Sequence, residues 1–177
     1  MSNIVFIASS LDGYIADKDG GLDWLELIPN PNGDDLGYNT LMSRVDALIM
    51  GKNTFEAVLG FGIDWPYSKP VFVLSNTLKM IPADLIDQVE IIRGPLADII
   101  DDLGKKGFNN LYIDGGKTIQ SFLKEDLIDE IIVTTIPILL GGGAPLFSEL
   151  LEKIELEHIK TEVFLNEIVQ SHYKVKH

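Results

Sequence analysis

Short runs of β-branched and other apolar residues alternate along this chain with longer segments in which apolar residues recur at helical spacing. A short apolar run is typical of a buried strand, whereas a period of about 3.6 residues is typical of a helix that packs one face against a sheet. Strands and helices that alternate in this way form largely parallel sheets. The sequence therefore predicts an α/β fold. Its predicted strands are 4–9, 47–50, 71–75, 89–92, 111–113 and 130–136.

The predicted helices lie between these strands, and each carries one apolar stripe. The stripe is longest over 38–45, within a predicted helix 36–45, and over 96–103, where apolar residues stand at i, i+3, i+4 and i+7. Shorter stripes follow at 55–59 and 119–127. We expect about four or five helices, placed on both faces of the sheet.

The C-terminal part changes to an alternation of polar and apolar residues. This alternation over 156–164 and 167–176 predicts an antiparallel hairpin with one face exposed, and Leu165-Asn166 is its predicted turn. Together with the earlier strands, the hairpin gives a mixed sheet of about eight strands, most of them parallel. The 177 residues fall within the usual size of one domain, so we expect a single domain over 1–177.

The charge balance of the chain is strongly acidic. Lys and Arg number 14 against 27 Asp and Glu, a formal net charge of −13, and this field repels nucleic acids and anionic membranes. The absence of cysteine excludes disulfides, a cysteine nucleophile and Cys-ligated metal sites, and it fits a reducing compartment. One uncharged stretch, 131–148, is broken by prolines and glycines, so it predicts a strand and a loop instead of a membrane span. We therefore expect a cytoplasmic protein that has no metal site and acts on a small molecule.

Two predicted strand-to-helix junctions combine glycine, lysine and threonine. Gly51-Lys52-Asn53-Thr54 follows one strand, and Asp114-Gly115-Gly116-Lys117-Thr118 follows another. Glycine lets a ligand approach the backbone, a helix N-terminus presents free N–H groups with a partial positive charge, and lysine adds a full charge. Because open α/β sheets bind ligands at this edge, the pair predicts an anion site for the two ends of a dinucleotide. The alternative is that the glycines only form tight turns and the threonines only cap helices.

The common nucleotide-binding motifs are absent from the chain. No G-x-G-x-x-G follows a strand. Gly116-Lys117-Thr118 lacks the glycine that a P-loop needs five residues earlier, where Leu111 stands. Neither a Rossmann nor a P-loop protein is expected.

Five segments, in order along the chain, resemble the dihydrofolate-reductase-like fold and, within it, the reductase domain of riboflavin biosynthesis. They are 10–16, 50–56, 73–76, 113–116 and 137–147. The resemblance implies an NADPH-dependent reductase that transfers a hydride to a C=N or C=O carbon of a ribosylaminopyrimidine phosphate. Dihydrofolate is the alternative substrate, although Ser68 stands where that activity would need an arginine. A third interpretation is an NADP-binding protein with a different substrate.

The resemblance also implies where the cofactor lies. Residues 8 and 15 would flank the nicotinamide, the two junctions would hold the phosphates, and residues 75 and 76 would lie near the adenosine ribose. In the family, the two glycines of the second junction are often joined by a cis peptide. The predicted cofactor contacts are Ala8, Ile15, Gly51, Lys52, Thr54, Ser75, Asn76, Ile113, Gly115, Gly116, Lys117 and Thr118. Lys52 stands where the family usually has arginine, and Asn76 where a basic residue is common, which leaves NADH as an alternative.

The substrate is predicted to lie between the first helix and the 10–34 loop. By its position in the resemblance, Asp35 is the predicted proton donor, directly or through a water that it orders. The alternative is that Asp35 caps the N-terminus of the helix. Asp12 and Trp24 are further candidates for substrate contacts, and Trp24 either covers the substrate or pins the loop to the core.

The resemblance implies a homodimer as well. The segment 137–147 is the predicted contact between the two copies.

Overall fold

The computed structural model describes residues 1–177 and contains ten strands and four α-helices. The strands are β1 (Ser2–Ser10), β2 (Tyr14–Ala16), β3 (Ala47–Gly51), β4 (Val71–Leu74), β5 (Val89–Ile92), β6 (Asn110–Asp114), β7 (Glu130–Ile136), β8 (Ala144–Pro145), β9 (Leu156–Phe164) and β10 (Ile168–Val175). The helices are α1 (Tyr38–Arg44), α2 (Lys52–Gly60), α3 (Leu96–Lys105) and α4 (Gly116–Lys124). Two short 3₁₀ helices cover Asp23–Glu26 and Ala83–Leu85.

Eight of the strands form one mixed sheet in the order β5-β4-β3-β6-β1-β7-β10-β9. All neighbours from β5 to β7 are parallel, and β10 runs antiparallel to both β7 and β9. The remaining strands, β2 and β8, pair with each other in a separate ribbon. The predicted dihydrofolate-reductase-like architecture, including the antiparallel C-terminal hairpin, is confirmed.

The central strands are buried on both faces, because each face is covered by helices. In β3, Ala47 and Ile49 belong to the core under α3 and α4, while Leu48 and Met50 belong to the core under α1 and α2. Alternate residues of a strand point to opposite faces, so a strand covered on both sides is apolar at every position. This explains why the parallel strands could be predicted as continuous apolar runs.

Two details of the backbone differ from the predictions. Helix α1 begins at Tyr38 and not at residue 36, because Leu36 and Gly37 have positive φ angles of 50° and 88° and cannot continue a helix. Strands β2 and β8 have three and two residues, too few for a recognisable alternation.

The Gly115–Gly116 peptide is trans, as are all peptide bonds of the chain. None of the helices has the length and apolar character needed to cross a membrane.

Candidate cofactor and substrate site

The two predicted junctions lie side by side at one edge of the sheet. Strands β3 and β6 are parallel neighbours, and Met50 at the end of β3 pairs with Asp114 at the end of β6. Each strand leads directly into a helix, β3 into α2 and β6 into α4. The N-termini of these two helices therefore meet at the carboxyl edge of the sheet, which is the ligand-binding edge of open α/β folds.

Each junction packs its glycine against the threonine of the other. A Cβ atom on Gly51 would lie 2.9 Å from the Oγ1 atom of Thr118. A Cβ atom on Gly115 would overlap the hydroxyl of Thr54, and Gly115 has a φ of 89°, which side-chain-bearing residues rarely adopt. Only glycine fits these two positions, and the close approach that it allows holds the two helix N-termini together.

Neither helix N-terminus is capped by a side chain. Gly51 and Gly115 are the N-cap residues of α2 and α4, and no side chain accepts a hydrogen bond from the first N–H groups of either helix. Thr54 and Thr118 are therefore not the helix caps that the alternative interpretation required. The free N–H groups and the partial positive charge of both helix ends are available to an anion.

A lysine accompanies each of these N-termini. Lys52 is partly exposed, and its Nζ atom lies 3.5 Å from Glu56 Oε1, one helical turn away. Lys117 is exposed in the first turn of α4. The two ammonium groups add positive charge at an edge of a protein that is otherwise strongly acidic, although Glu56 partly offsets that of Lys52.

Strand β1 presents unpaired backbone groups near the two junctions. It pairs with β6 only as far as Val5 and Ile113, whereas its pairing with β7 continues to Ser10. The Phe6 carbonyl points to the β6 side, because it accepts a hydrogen bond of 2.9 Å from the Tyr112 hydroxyl. Alternate residues of a strand point their backbone groups to the same edge, so Ala8 directs its N–H and C=O to this side, beyond the end of β6. This placement fits the predicted contact of Ala8 with a carboxamide.

The ribbon of β2 and β8 brings an apolar side chain to the second junction. A Cβ atom on Gly116 would lie 2.7 Å from Ile15 Cδ1 and 3.4 Å from the Pro145 carbonyl oxygen. Ile15 therefore covers the glycine pair from the side of the 10–34 loop. The structure brings together the predicted residues of β1, β2 and both junctions.

Asp12 holds the start of this loop in place. Its Oδ1 atom accepts hydrogen bonds from the Ser10 hydroxyl at 2.6 Å and the Leu140 N–H at 3.1 Å, and its Oδ2 atom accepts one from the Gly141 N–H at 2.8 Å. The hydrogen bond from Ser10, with those from the two backbone N–H groups, lowers the pKa of Asp12. Both carboxylate oxygens are engaged, so the contacts of Asp12 in the structure tie the 10–16 segment to the loop after β7.

The predicted adenosine-side residues line a separate pocket of about 270 Å³ beside α4. Ser75 is buried, and its hydroxyl accepts hydrogen bonds from the N–H groups of Thr77 and Leu78 at 3.2 and 3.0 Å. Asn76 is exposed at the pocket wall. The pocket is lined by Leu74, Ser75, Asn76, Gly94, Pro95, Leu96, Ser121 and Glu125. Because α4 contributes to both the pocket and the second junction, one elongated ligand could contact both.

Asp114 is the functional candidate that the sequence did not single out. It is the last residue of β6, and burial raises the pKa of its carboxyl to about 6, even though the Gly115 N–H donates a hydrogen bond of 2.8 Å to its Oδ1 atom. Burial, followed by the charge of Asp114, raises the pKa values of Tyr38 and Tyr67. A carboxyl that titrates near neutrality therefore lies beside the second junction, on the same face of the sheet as Tyr112.

The sequence carried only a partial signal for Asp114. Its place directly before the double glycine is visible in the sequence, but its burial is not. Tyr38 comes from α1 and Tyr67 from the loop before β4, so their approach to Asp114 depends on the folded structure.

Asp35 lies immediately before α1 and is exposed. Its Oδ2 atom accepts a hydrogen bond of 2.9 Å from the Asn39 N–H, and its Oδ1 atom accepts one of 3.0 Å from the Gly37 N–H. These bonds, the Asn39 bond above all, lower the pKa of Asp35. The carboxylate is thus ionised at neutral pH and stabilises the start of the helix, as the capping alternative describes.

Asp35 also lines a second pocket of about 280 Å³, next to α1. Phe6, Thr40, Gln170 and His172 contribute to the same pocket. Asp35 can therefore order a water toward a molecule in this pocket, although it cannot itself supply a proton at neutral pH.

Two further predicted residues have buried side chains. Trp24 packs with Ile136 and Ile168 in a small apolar cluster, which anchors the 10–34 loop to the core. The Ile113 side chain is fully buried in the core under α3 and α4. Ile113 can therefore contact a ligand at the sheet edge only through its backbone.

Comparisons with known proteins find similar proteins over nearly the whole length of the chain. A sequence model of the RibD C-terminal domain matches residues 3–170. The crystal structure of a putative riboflavin biosynthesis protein from Shewanella sp. PV-4 is 60% identical, covers all of both chains and superimposes with a TM-score of 0.98. The uncharacterized protein YwjB of Bacillus subtilis is 36% identical over 173 residues, which span 96% of this chain and 95% of YwjB.

A more distant structure shares the fold. It is a diaminohydroxyphosphoribosylaminopyrimidine deaminase/5-amino-6-(5-phosphoribosylamino)uracil reductase from Thermotoga maritima, with a TM-score of 0.73 and 17% identity. The match covers 99% of this chain and 56% of that one.

Proposed function

Since the chain belongs to the family of RibD C-terminal domains, we propose that it is an NADPH-dependent reductase that acts on a ribosylaminopyrimidine phosphate. The hydride would be added to a C=N or C=O carbon of the substrate, and a proton to the nitrogen or oxygen of the same bond. The observation that carries the proposal is the pairing of Gly51 with Thr118 and of Gly115 with Thr54 at the edge of the sheet.

The two helix N-termini would bind the pyrophosphate. Their first N–H groups have no side-chain partner, and a bound phosphate oxygen would satisfy them. The net charge of −13 repels an anion, and the positive charges of Lys52 and Lys117 would counteract this repulsion locally. Ser75 and Asn76 would contact the adenosine end in the pocket beside α4.

The first strand and the ribbon would orient the reacting end. Ala8 would donate and accept hydrogen bonds through its backbone, and Ile15 would pack against one face of the nicotinamide ring. When bound, NADPH supplies the hydride from C4 of that ring. The contribution of the protein is to hold the reacting carbon of the substrate at that face and to exclude water.

Reduction also needs a proton, and Asp114 is the group best suited to hold one. Burial raises the pKa of its carboxyl to about 6, so about a tenth of it is protonated at pH 7, far more than for an ordinary aspartate. We assign Asp114 as the proton donor. Asp35 would take part only indirectly, by accepting a hydrogen bond from a water that it orders in the pocket next to α1.

No observation favours dihydrofolate as the substrate. Ser68, which stands where that activity would need an arginine, is exposed in the loop before β4. The chain has two arginines, and both are engaged elsewhere. Arg44 pairs with Glu130, and Arg93 donates to the carbonyl groups of Ser75 and Leu78.

The test is the loss of NADPH absorbance when the full chain is mixed with each candidate substrate. We expect turnover of the ribosylaminopyrimidine phosphate and none of dihydrofolate. Turnover of dihydrofolate alone would contradict the proposed substrate, and tight NADPH binding without turnover of either compound would favour a different substrate. In the same assay, Asp114→Asn should lower kcat at least about tenfold while leaving NADPH affinity within about twofold.

A further inference from the structure

Tyr112 is a buried tyrosine on β6 to which the proposed reduction gives no role. Its hydroxyl donates a hydrogen bond of 2.9 Å to the Phe6 carbonyl oxygen. A carbonyl oxygen can only accept, so the direction of this bond is fixed, and a hydroxyl has a single hydrogen to donate. The remaining lone pairs of the Tyr112 oxygen are therefore available to other groups only as acceptors.

Three features keep the hydroxyl hydrogen of Tyr112 on the Phe6 carbonyl. Phe6 lies one residue beyond Val5, where the pairing of β1 with β6 ends, so no strand partner competes for its carbonyl on that side. Tyr112 is only 6% exposed, which keeps water from replacing the hydroxyl as the donor. The rings of Phe6 and Tyr112 meet edge to face with their centres 6.4 Å apart, a contact that fixes the tyrosine ring. Since a buried carbonyl without a donor is costly, we expect the bond to Phe6 to persist.

Asp114 is the second group within reach of this hydroxyl. Tyr112 and Asp114 stand two residues apart on β6, so their side chains lie on the same face of the sheet, in hydrogen-bonding contact. The Gly115 N–H donates to Asp114 Oδ1 at 2.8 Å, which places the hydrogen of the neutral acid on Oδ2. That hydrogen can be donated to the Tyr112 oxygen, whereas a carboxylate would face the lone pairs of the same oxygen.

We propose that Tyr112 is a positioning residue that keeps the Asp114 carboxyl in its neutral form, because it turns toward it an oxygen whose own hydrogen is committed to Phe6. The inference rests on the proposed role of Asp114 as proton donor. Tyr112 gives up no proton. Asp114 passes its hydrogen to the nitrogen or oxygen of the substrate bond as the carbon receives the hydride, and the remaining carboxylate takes up a proton from water. Tyr112 favours this uptake and so restores the acid for the next turnover.

The other titratable groups that face Asp114 are two tyrosines. Tyr38 comes from α1 and Tyr67 from the loop before β4, and burial, followed by the charge of Asp114, raises the pKa of each. No lysine, arginine or histidine is among the groups that shift the pKa of Asp114 itself. Tyr112 is the tyrosine whose hydroxyl is bound to a backbone carbonyl. The hydroxyls of Tyr38 and Tyr67 lack such a bond, so they can donate to the carboxylate and should favour its charged form.

The alternative role of Tyr112 has the opposite sign. If its hydroxyl turned away from Phe6 and donated to Asp114, it would stabilise the carboxylate and lower the pKa of Asp114. Loss of the hydroxyl would then raise that pKa. Under the proposal, loss of the hydroxyl lowers it, because the lone pairs that disfavour the carboxylate are removed.

Tyr112→Phe separates the two roles. Carbon-13 NMR titration of the Asp114 carboxyl, identified by its absence in Asp114→Asn, measures the pKa in the full chain without any ligand. We expect the pKa in Tyr112→Phe to fall from about 6 toward the ordinary value of 3.8. A fall of about one would lower the protonated fraction, and with it kcat, roughly tenfold at pH 7 but only about twofold at pH 5. A role in packing alone would lower kcat equally at both pH values.

Tyr67→Phe is the matched control, since it removes a hydroxyl that faces the same carboxyl but is not bound to a carbonyl. It should raise the pKa of Asp114 or leave it unchanged. Circular dichroism would verify that both variants are folded. An unchanged or higher pKa in Tyr112→Phe would overturn the proposal, as would an equal fall in Tyr67→Phe.

A second measurement needs no variant. In the wild-type chain, the carbonyl carbon-13 resonance of Phe6 should keep its hydrogen-bonded shift while Asp114 titrates, because the Tyr112 hydroxyl stays on Phe6. Loss of that shift at the midpoint of the Asp114 titration would show that the hydroxyl turns to the carboxylate, and would overturn the proposal. Neither titration uses NADPH or substrate. A chain that shows the expected titrations but no turnover would therefore contradict the proposed function and not the effect of Tyr112 on Asp114.

Discussion

Asp114 and Gly115 are adjacent residues on which two different constraints act. The Asp114 carboxyl is partly buried beside tyrosines, which makes its charged form costly. Gly115 must lack a side chain, because Thr54 occupies the space and the φ of Gly115 is positive. Such constraints reduce stability and are typical of binding and catalytic sites. Because the two residues are adjacent, the proposed proton donor lies directly beside the proposed phosphate site.

Gly115→Ala should damage both stability and cofactor binding. The added Cβ would meet the Thr54 hydroxyl, and alanine at this φ is strained, so we expect the free energy of unfolding to fall by about 2–4 kcal/mol. Urea denaturation measures the loss. Gly60→Ala is the control, since Gly60 is the last residue of α2 and has no atom in the way, and it should be neutral or slightly stabilising. Equal effects of the two substitutions would contradict the account.

Asp114→Asn should change how stability depends on pH. The folded protein holds the Asp114 proton more tightly than the unfolded chain, because burial raises its pKa from 3.8 to about 6. Its contribution therefore favours folding at low pH and is lost as the pH rises from about 4 to about 6. We expect the stability of the variant relative to wild type to improve by on the order of 1–3 kcal/mol between pH 4 and pH 7.5. Denaturation curves whose difference is the same at both pH values would exclude the raised pKa.

The residues of the site could be predicted only in part. The glycines, lysines and threonines of the junctions were visible as short motifs, because their positions after strands are local features of the sequence. The role of Asp114 could not be predicted from the sequence, since the side chains that bury it come from distant segments. The hydrogen bonds that keep Asp35 ionised depend on the positive φ of Gly37, and this too is a property of the folded chain.

At the scale of elements, prediction succeeded where burial is uniform. The parallel strands were placed within about two residues because they are apolar on both faces. The hairpin turn at Leu165-Asn166 could be predicted because it separates two segments in which polar and apolar residues alternate, and both of its residues have the positive φ of a two-residue turn. Prediction failed for β2 and β8, whose pairing depends on contacts between distant loops.

Helix α1 is short, and an ion pair helps to fix it to the sheet. Its Arg44 donates to both carboxylate oxygens of Glu130 on β7 at 2.7 Å, and His172 of β10 contacts the same carboxylate at 2.8 Å. Burial alone would raise the pKa of Glu130, but Arg44 and His172 more than offset this and hold its pKa below the usual value. The network connects α1 to both neighbouring strands.

Arg44→Ala should weaken this connection in a pH-dependent way. We expect a loss of about 1 kcal/mol in the free energy of unfolding at pH 7, a modest value because the pair is partly exposed. The contribution of a carboxylate with a lowered pKa is present above its unfolded pKa of 4.5 and disappears as the pH falls through the folded value. Urea denaturation at pH 7 and pH 3 measures both quantities. Lys105→Ala, which removes a surface ion pair to Asp101, should change stability little, and a pH-independent loss in Arg44→Ala would count against the network.

At the scale of the whole molecule, global charge and local binding oppose each other. A chain with a net charge of −13 repels an anionic cofactor at long range, and salt screens this repulsion beyond about 8–10 Å. Binding must then come from groups in direct contact, which here are the N–H groups of two helix ends and one lysine beside each. The account of function depends on these contacts.

Calorimetric titration of NADPH into Thr54→Ala/Lys117→Ala tests that dependence most directly. Loss of about 1–2 kcal/mol per contact predicts a total loss of roughly 2–4 kcal/mol, or a 30- to 1,000-fold increase in Kd. Lys124→Ala, at the other end of α4, serves as the control and should bind like wild type. An unchanged Kd in the double variant, or equal losses in the control, would contradict the proposed site.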